Sequence, residues 1–194
     1  MRIVGILLAA GAGARFGGAK LLAPLPVPSH GVGAGTPIGV AAATHLMAAL
    51  NDVVAVVRPR DHMLHAALQD TGARVVVCDR AQEGMGASLA CGVRESGIAD
   101  GWVIALADMP WIAPESISAV ANAIKSGAEI AATSHRGERG HPVGFTKSYF
   151  KLLIGLSGDE GARSIVAARK WAVQVVEVDD PGVIRDVDRP DDLR

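Results

Sequence analysis

The 194-residue chain carries 19 basic against 20 acidic residues, so it has no overall basic field of the kind that binds nucleic acid through counterion release. Hydrophobic residues make up 49% and charged residues 20%, a balance that excludes a disordered chain, and no apolar run approaches the ~18 residues of a membrane span. The length suits one domain, residues 1–194, and Cys78 and Cys91, at a spacing that matches no zinc or redox motif, read as reduced thiols of a cytoplasmic protein.

Arg2 followed by Ile3 to Ala10 imitates a secretory leader, with Ala12 and Ala14 imitating a cleavage site. Cleavage there would remove the strand that leads into the next segment, so Ile3 to Ala10 is read as a buried strand. It runs into Gly11-Ala12-Gly13-Ala14-Arg15-Phe16-Gly17-Gly18-Ala19-Lys20. Glycines let backbone N–H groups turn toward an anion, and Arg15 and Lys20 add positive charge, so the loop reads as a phosphate cradle for a nucleotide triphosphate. It is neither of two familiar cradles. The dinucleotide fingerprint needs glycine where Phe16 stands, and the P-loop needs Lys-Ser or Lys-Thr directly after its last glycine, where Ala19-Lys20-Leu21 follow Gly18. Candidate nucleotide contacts here are Leu8, Ala9, Ala10, Gly11, Gly13, Arg15 and Lys20.

Leu21 to Gly35 is too rich in proline and glycine for a regular element. Thr36 can cap a helix with Pro37 at its first position, giving a helix over Ile38 to Leu50. Strands at Val53–Val57, Arg74–Cys78, Trp102–Ala107 and Glu129–Thr133 then alternate with helices at Asp61–Gln69, Gly86–Glu95 and Pro114–Ser126. This alternation predicts an α/β fold: a Rossmann-like, doubly wound, mostly parallel sheet with helices on both faces. After residue 134 the pattern changes. His135 to Pro142 reads as a polar turn and Val143–Thr146 as a short strand. Helices follow at Lys147–Leu156 and Gly161–Arg169, then a strand at Ala172–Val178 with Val183–Asp186 beside it, and Asp191 starts a truncated helix. His135 and His141 read as solvated loop histidines, and Trp102, Trp111 and Trp171 as core or rim packing.

Ligands of such sheets bind outside the carboxyl ends of the strands. Asp108 ends the strand Trp102–Ala107, so a carboxylate at this tip can hold magnesium beside a triphosphate, magnesium preferring one or two carboxylates plus phosphate oxygens. For both Asp108 and the glycine loop to line one crevice, their strands must be near neighbours. In the tail, Asp186 and Asp188 share one side of an extended segment while Val187 faces the core, which suits either a second metal ligand or a solvated charged end.

The pattern L-A-A-G-x-G-x-R-F-G-x-x-K resembles the N-terminal signature of the molybdenum cofactor nucleotidyltransferases, whose fold is that of the nucleotide-diphospho-sugar transferases. The resemblance covers nearly the whole chain: Gly84-Met85-Gly86-Ala87-Ser88-Leu89 is similar to the family's G-M-x-x-S-L, Gly140-His141-Pro142-Val143-Gly144-Phe145 to its G-H-P-V-x-F, and Gly158 to Arg163 to its G-D-x-G-A-R. The tail from Asp186 resembles D-x-D-T-P-E-D-L, with Arg189 in place of the usual threonine. The resemblance implies nucleoside contacts at Gly86 and Ser88, acceptor contacts at Gly140, His141 and Pro142, and metal ligation by Asp186, with Asp188 as second choice. It also implies attack by the terminal phosphate of molybdopterin on the α-phosphate of CTP, with pyrophosphate leaving, for delivery to a xanthine dehydrogenase-like molybdoenzyme or its chaperone. Arg15, Lys20 and Asp108 would be the catalytic set. Ala9-Ala10-Gly11, where the guanine-using branch has A-G-G, points to cytosine. A GTP-dependent enzyme, a sugar- or polyol-phosphate nucleotidyltransferase, and a non-catalytic nucleotide-binding protein are the competing readings.

Overall fold

A computed structural model describes residues 1–11 and 13–193; Ala12, half of the mimicked cleavage site, and Arg194 lie outside the described residues. The strands β1 (Ile3–Leu8), β2 (Val53–Val57), β3 (Arg74–Val77), β4 (Gly101–Leu106), β5 (Ile130–His135), β6 (Glu138–Thr146) and β7 (Val173–Glu177) form one sheet in the order β3-β2-β1-β4-β6-β5-β7. The first four in that order are parallel neighbours, β6 runs antiparallel between β4 and β5, and β7 lies parallel to β5. The fold is therefore α/β with a mostly parallel sheet, as the alternating pattern predicts.

Parallel strands covered on both faces must be apolar on both, and β2, five residues of Val and Ala, is buried throughout. Its odd and even side chains serve different cores. Val53, Ala55 and Val57 meet the helices α1 (Ile38–Ala49), α2 (His62–Gln69) and α4 (Pro114–Lys125). Val54 and Val56 join Leu89 and Val93 of α3 (Met85–Glu95), Leu153 of α5 (Phe150–Ile154) and Ile165 and Val166 of α6 (Arg163–Ala168). Gly92 of α3 is where helix and sheet come closest: a Cβ there would lie 2.7 Å from Val56 and 2.8 Å from Ile6.

Strands β1 and β4 pair directly, Leu8 opposite Leu106, which meets the neighbour condition for a shared crevice. The glycine loop leaves the tip of one and Asp108 the tip of the other.

Several local expectations need correction. The polar stretch 135–142 is mostly strand: only Arg136 and Gly137, both at positive φ, turn between β5 and a nine-residue β6. Pairing with His135 and Ser134 holds Glu138 and Arg139 in the sheet although their side chains are polar, and the register shifts between them and Val143. His135 is buried, with Nδ1 3.0 Å from the Val178 carbonyl, and is not a solvated loop residue. Val183–Asp186 is not a strand: Pro181 and Gly182 bend Pro181–Ile184 into a 3₁₀ turn, and Asp180 accepts from the Gly182 N–H. Thr36 does not cap α1; its carbonyl accepts from Leu25 N–H, and Pro37 lies outside the helix. Trp102 is buried with its indole N–H donating to Ser96 Oγ, and Trp111 is at the rim, but Trp171 is 76% exposed and packs in no core.

The segment Leu21–Gly35 holds a 3₁₀ turn at Lys20–Leu22 and is otherwise irregular, yet it is laced down. Leu25 and Val32 are buried, Ser29 Oγ donates to the Pro110 carbonyl at 3.1 Å, and His30 Nε2 lies 3.1 Å from the Trp111 carbonyl. His45 on α1 reaches the Ser29 carbonyl from below.

Candidate nucleotidyl-transfer site

The glycine loop begins where β1 runs out of partners. Leu8 is half-buried, Ala9 is buried with its N–H donating to the Val56 carbonyl, and Ala10 is half-buried. Beyond them Gly11 is exposed and no atom would oppose a side chain on it, so its backbone faces open space. Gly13 is glycine for a local reason: its φ is +62°, and a Cβ would fall 2.8 Å from the Gly18 carbonyl oxygen. The turn closes through Phe16 N–H to Gly13 and Lys20 N–H to Gly18, which swings Lys20 back over the strand tips.

Lys20 Nζ lies 2.7 Å from Asp108 Oδ2 and 3.8 Å from Asp188 Oδ1, and Arg15 pairs with the other oxygen of Asp188. The two loop cations thus meet the carboxylates of β4's tip and of the tail. Main-chain contact fixes the tail there: Val187 is buried and its N–H donates to the Asp108 carbonyl at 2.9 Å. Burial, then the charges of Asp108 and Asp188, raise the Asp186 carboxyl above its ordinary pKa, whereas Asp188 has two cations beside it.

Alongside lies a cleft of about 640 Å³. Its floor is aliphatic, with Leu8 and Leu106 at the strand tips and Leu89, Ile104, Val143 and Val166 behind them; Asp186 stands at its edge. Gly140 and His141 line it. A Cβ on Gly140 would fall 2.0 Å from the Val183 carbonyl oxygen, so this glycine is also required by packing against the 181–184 turn. His141 Nδ1 is buried without a hydrogen-bond partner, and burial lowers the ring's pKa. Pro142 is buried under the floor.

Gly86 and Ser88, expected near a nucleoside, sit on the first turns of α3 with their polar groups engaged. Gly86 N–H donates to Gly158 at 2.7 Å, and Ser88 is buried with Oγ turned to the Gly84 carbonyl. The Ser157–Asp159 segment lies directly on this helix end, leaving room only for glycine at 84 and 86. It brings Asp159, Glu160 and Arg163 to the cleft, residues to which reading of the sequence gave no role although Gly158 to Arg163 stood out as a motif. Met85 and Met109, which also line the cleft, carried no signal because isolated methionines read as core.

Among the described residues no three carboxylate, imidazole or thiol groups form a cage able to hold a metal ion. Asp108 and Asp186 fit the looser arrangement magnesium favours, one or two carboxylates completed by phosphate oxygens. They are hard oxygen donors, with the charge of Asp108 opposing ionisation of Asp186, beside cations suited to the phosphates.

Residues 5–175 match the MobA-like NTP transferase domain. The chain is 34% identical to the purine catabolism protein PucB of Bacillus subtilis (strain 168), over 98% of this chain and 93% of that one. Rv0371c from Mycobacterium tuberculosis H37Rv is similar in structure, with a TM-score of 0.81, 28% identity and coverage of 99% of this chain and 95% of that one; its complex with manganese matches at 0.77 and 26% identity, covering 99% and 96%. The molybdopterin-guanine dinucleotide biosynthesis protein A from Archaeoglobus fulgidus shares the fold, with a TM-score of 0.66 at 18% identity over 98% of this chain and 94% of that one. Among the described residues no helix is long and apolar enough to cross a membrane.

Proposed function

This chain belongs to the MobA-like NTP transferase family, and from that premise we propose that it transfers CMP from CTP to the terminal phosphate of molybdopterin with release of pyrophosphate. The observation that carries this reading is the meeting of Lys20 and Arg15 with Asp108 and Asp188, next to Asp186 at the edge of a cleft with an aliphatic floor and charged walls. Cations for a triphosphate, carboxylates for a metal and a slot for a planar acceptor adjoin one another. The whole chain acts as one cytoplasmic nucleotidyltransferase domain. PucB's name as a purine catabolism protein supports a xanthine dehydrogenase-like molybdoenzyme, or its chaperone, as recipient.

In this reading Ala9, Ala10, Gly11 and Gly13 present backbone groups to the base and phosphates, while Gly86 and Ser88, engaged within the protein, shape the helix end behind the nucleoside without bonding to it. Arg15 and Lys20 leave their carboxylate partners to hold the β- and γ-phosphates. Asp108 and Asp186, together with the phosphates, would hold magnesium, which would supply Lewis-acid charge at the α-phosphate. An oxygen of the acceptor phosphate forms the new bond to the α-phosphorus, and the bond to the bridging oxygen breaks with its electron pair leaving on pyrophosphate. The chain's own work is positioning and charge stabilisation, and no nucleophilic side chain takes part. Gly140 and His141 line the acceptor side, with Pro142 buried between them and Val143, and the apolar floor there suits a flat heterocycle better than a polyhydroxylated sugar.

Pyrophosphate release tests the proposal. With CTP and magnesium, molybdopterin should support turnover and a panel of sugar and polyol phosphates should not; turnover with a sugar phosphate alone would replace the acceptor, and no turnover with any acceptor would leave a binding protein.

A further inference from the structure

Asp108 and Asp186 are 78 residues apart, on segments that no strand pairing holds together. Among the described residues, contacts at several places cross between these segments. Val187 N–H donates to the Asp108 carbonyl just beyond Asp186. Asp180 is buried and accepts from Ala113 N–H (2.9 Å), Ser116 Oγ (2.7 Å) and Gly182 N–H (2.9 Å), stapling the start of α4 to the tail's turn. Between them the Arg185 guanidinium lies 3.7 Å from the centre of the Trp111 ring, and a Cβ on Gly182 would fall 2.1 Å from the Trp111 carbonyl oxygen.

Arg185 directly precedes Asp186, and Trp111 lies three residues after Asp108. Lys20 also bridges Asp108 and Asp188, but in the proposed reaction it turns to the phosphates; the stack is then the side-chain contact beside both carboxylates that remains to fix their separation. A planar guanidinium over an indole face tolerates little sliding without losing the attraction between cation and ring quadrupole. Trp111 is half-buried and Arg185 exposed, so the pair stands at the rim, where it contributes less to the core than to the path of the tail.

We propose that Trp111 and Arg185 are positioning residues that hold Asp186 at metal-binding distance from Asp108. This rests on the reading of Asp108 and Asp186 as metal ligands. Neither residue touches substrate; each acts through Asp186. Partners of metal ligands typically alter metal affinity ~10–100-fold when removed.

The test is Mn²⁺ binding to the full chain without nucleotide, followed by electron paramagnetic resonance of the free ion, with melting temperature measured in parallel. Trp111→Leu and Arg185→Gln should each weaken Mn²⁺ by about 10-fold or more, and Trp111→Phe and Arg185→Lys, which keep a ring or a cation, should retain most of the affinity. Arg185 is exposed, so Arg185→Gln keeps the test valid if Trp111→Leu fails to fold. Asp186→Asn separates the two readings. If it weakens Mn²⁺ while Arg185→Gln binds like wild type, the positioning proposal is overturned and the ligand assignment stands; if Asp186→Asn has no effect, the ligand assignment fails and the proposal falls with it. Equal losses in Arg185→Gln and Arg185→Lys would also overturn it, because the stack would not be the cause.

Discussion

Lys20 Nζ lies 2.7 Å from Asp108 Oδ2, so the loop cation best placed for a triphosphate is paired to the carboxylate best placed for a metal. Each ligand must therefore displace a protein ion pair unless both arrive together, which couples their affinities reciprocally. Lys20→Gln should weaken CTP by about 10–100-fold, the equivalent of losing one charged hydrogen bond, and weaken CMP much less. It should also tighten Mn²⁺ binding to the nucleotide-free protein, because Asp108 loses its competitor. Equal loss of CTP and CMP, or weaker Mn²⁺ binding, would place Lys20 in another role.

Asp108→Asn removes a charge from a strand tip, not from a core contact. Turnover should fall by ~10²–10³. Its carboxylate has Lys20 as its ion-pair partner and is partly exposed, so the melting temperature should move by no more than a few degrees. A variant that keeps activity within about threefold of wild type, on the same scale, would remove Asp108 from the metal site.

In the proposed binding mode the base sits just beyond the end of β1, where the methyl group of Ala10 would narrow its space. Isothermal titration in magnesium should show CTP bound more tightly than GTP, by about 10–200-fold if one methyl accounts for the difference. Ala10→Gly should recover GTP binding. Tighter GTP binding by the wild type would overturn the assignment to cytosine.

Stability should fall on mild acidification because of His45. The ring is buried under Ser29, and that burial lowers its pKa. His30 adds to this lowering, while the Ser29 carbonyl, Asp180 and Glu115 work against it. A folded pKa below the unfolded value of about 6.5 means that the unfolded chain takes up protons first, so the contribution is complete above that pH and is lost as pH falls toward the folded value. Buried His141, lowered by burial and Arg163 and raised by Asp108 and the Ile104 carbonyl, acts in the same direction. Melting temperatures between pH 8 and 5 should drop below about pH 6.5, and His45→Leu should be less stable at pH 8 but show a shallower drop. An unchanged slope in that variant would exclude His45 as a source.

The parallel half of the fold was legible because strands buried on both faces must be apolar at every position, as Val53 to Val57 are. The same rule hid β6. Glu138 and Arg139 are held by pairing with His135 and Ser134 of β5 and not by side-chain burial, and Pro142 looked like a breaker. In the tail, Val187 was correctly seen as facing the core, but Pro181-Gly182 set a 3₁₀ turn where alternation suggested a strand. At the candidate site, spacing and strand position were enough to bring the glycine loop and Asp108 to adjoining strand tips. The engagement of Gly86 by Gly158, and the stack of Trp111 on Arg185, depend on contacts between distant segments that no local pattern encodes.

The most direct measurement is mass spectrometry of the products formed from CTP, magnesium and molybdopterin. Molybdopterin cytosine dinucleotide and pyrophosphate in equal amounts, with little dinucleotide when GTP replaces CTP, is the expected result. A guanine dinucleotide formed in preference, or CMP joined to a sugar phosphate but never to molybdopterin, would contradict it.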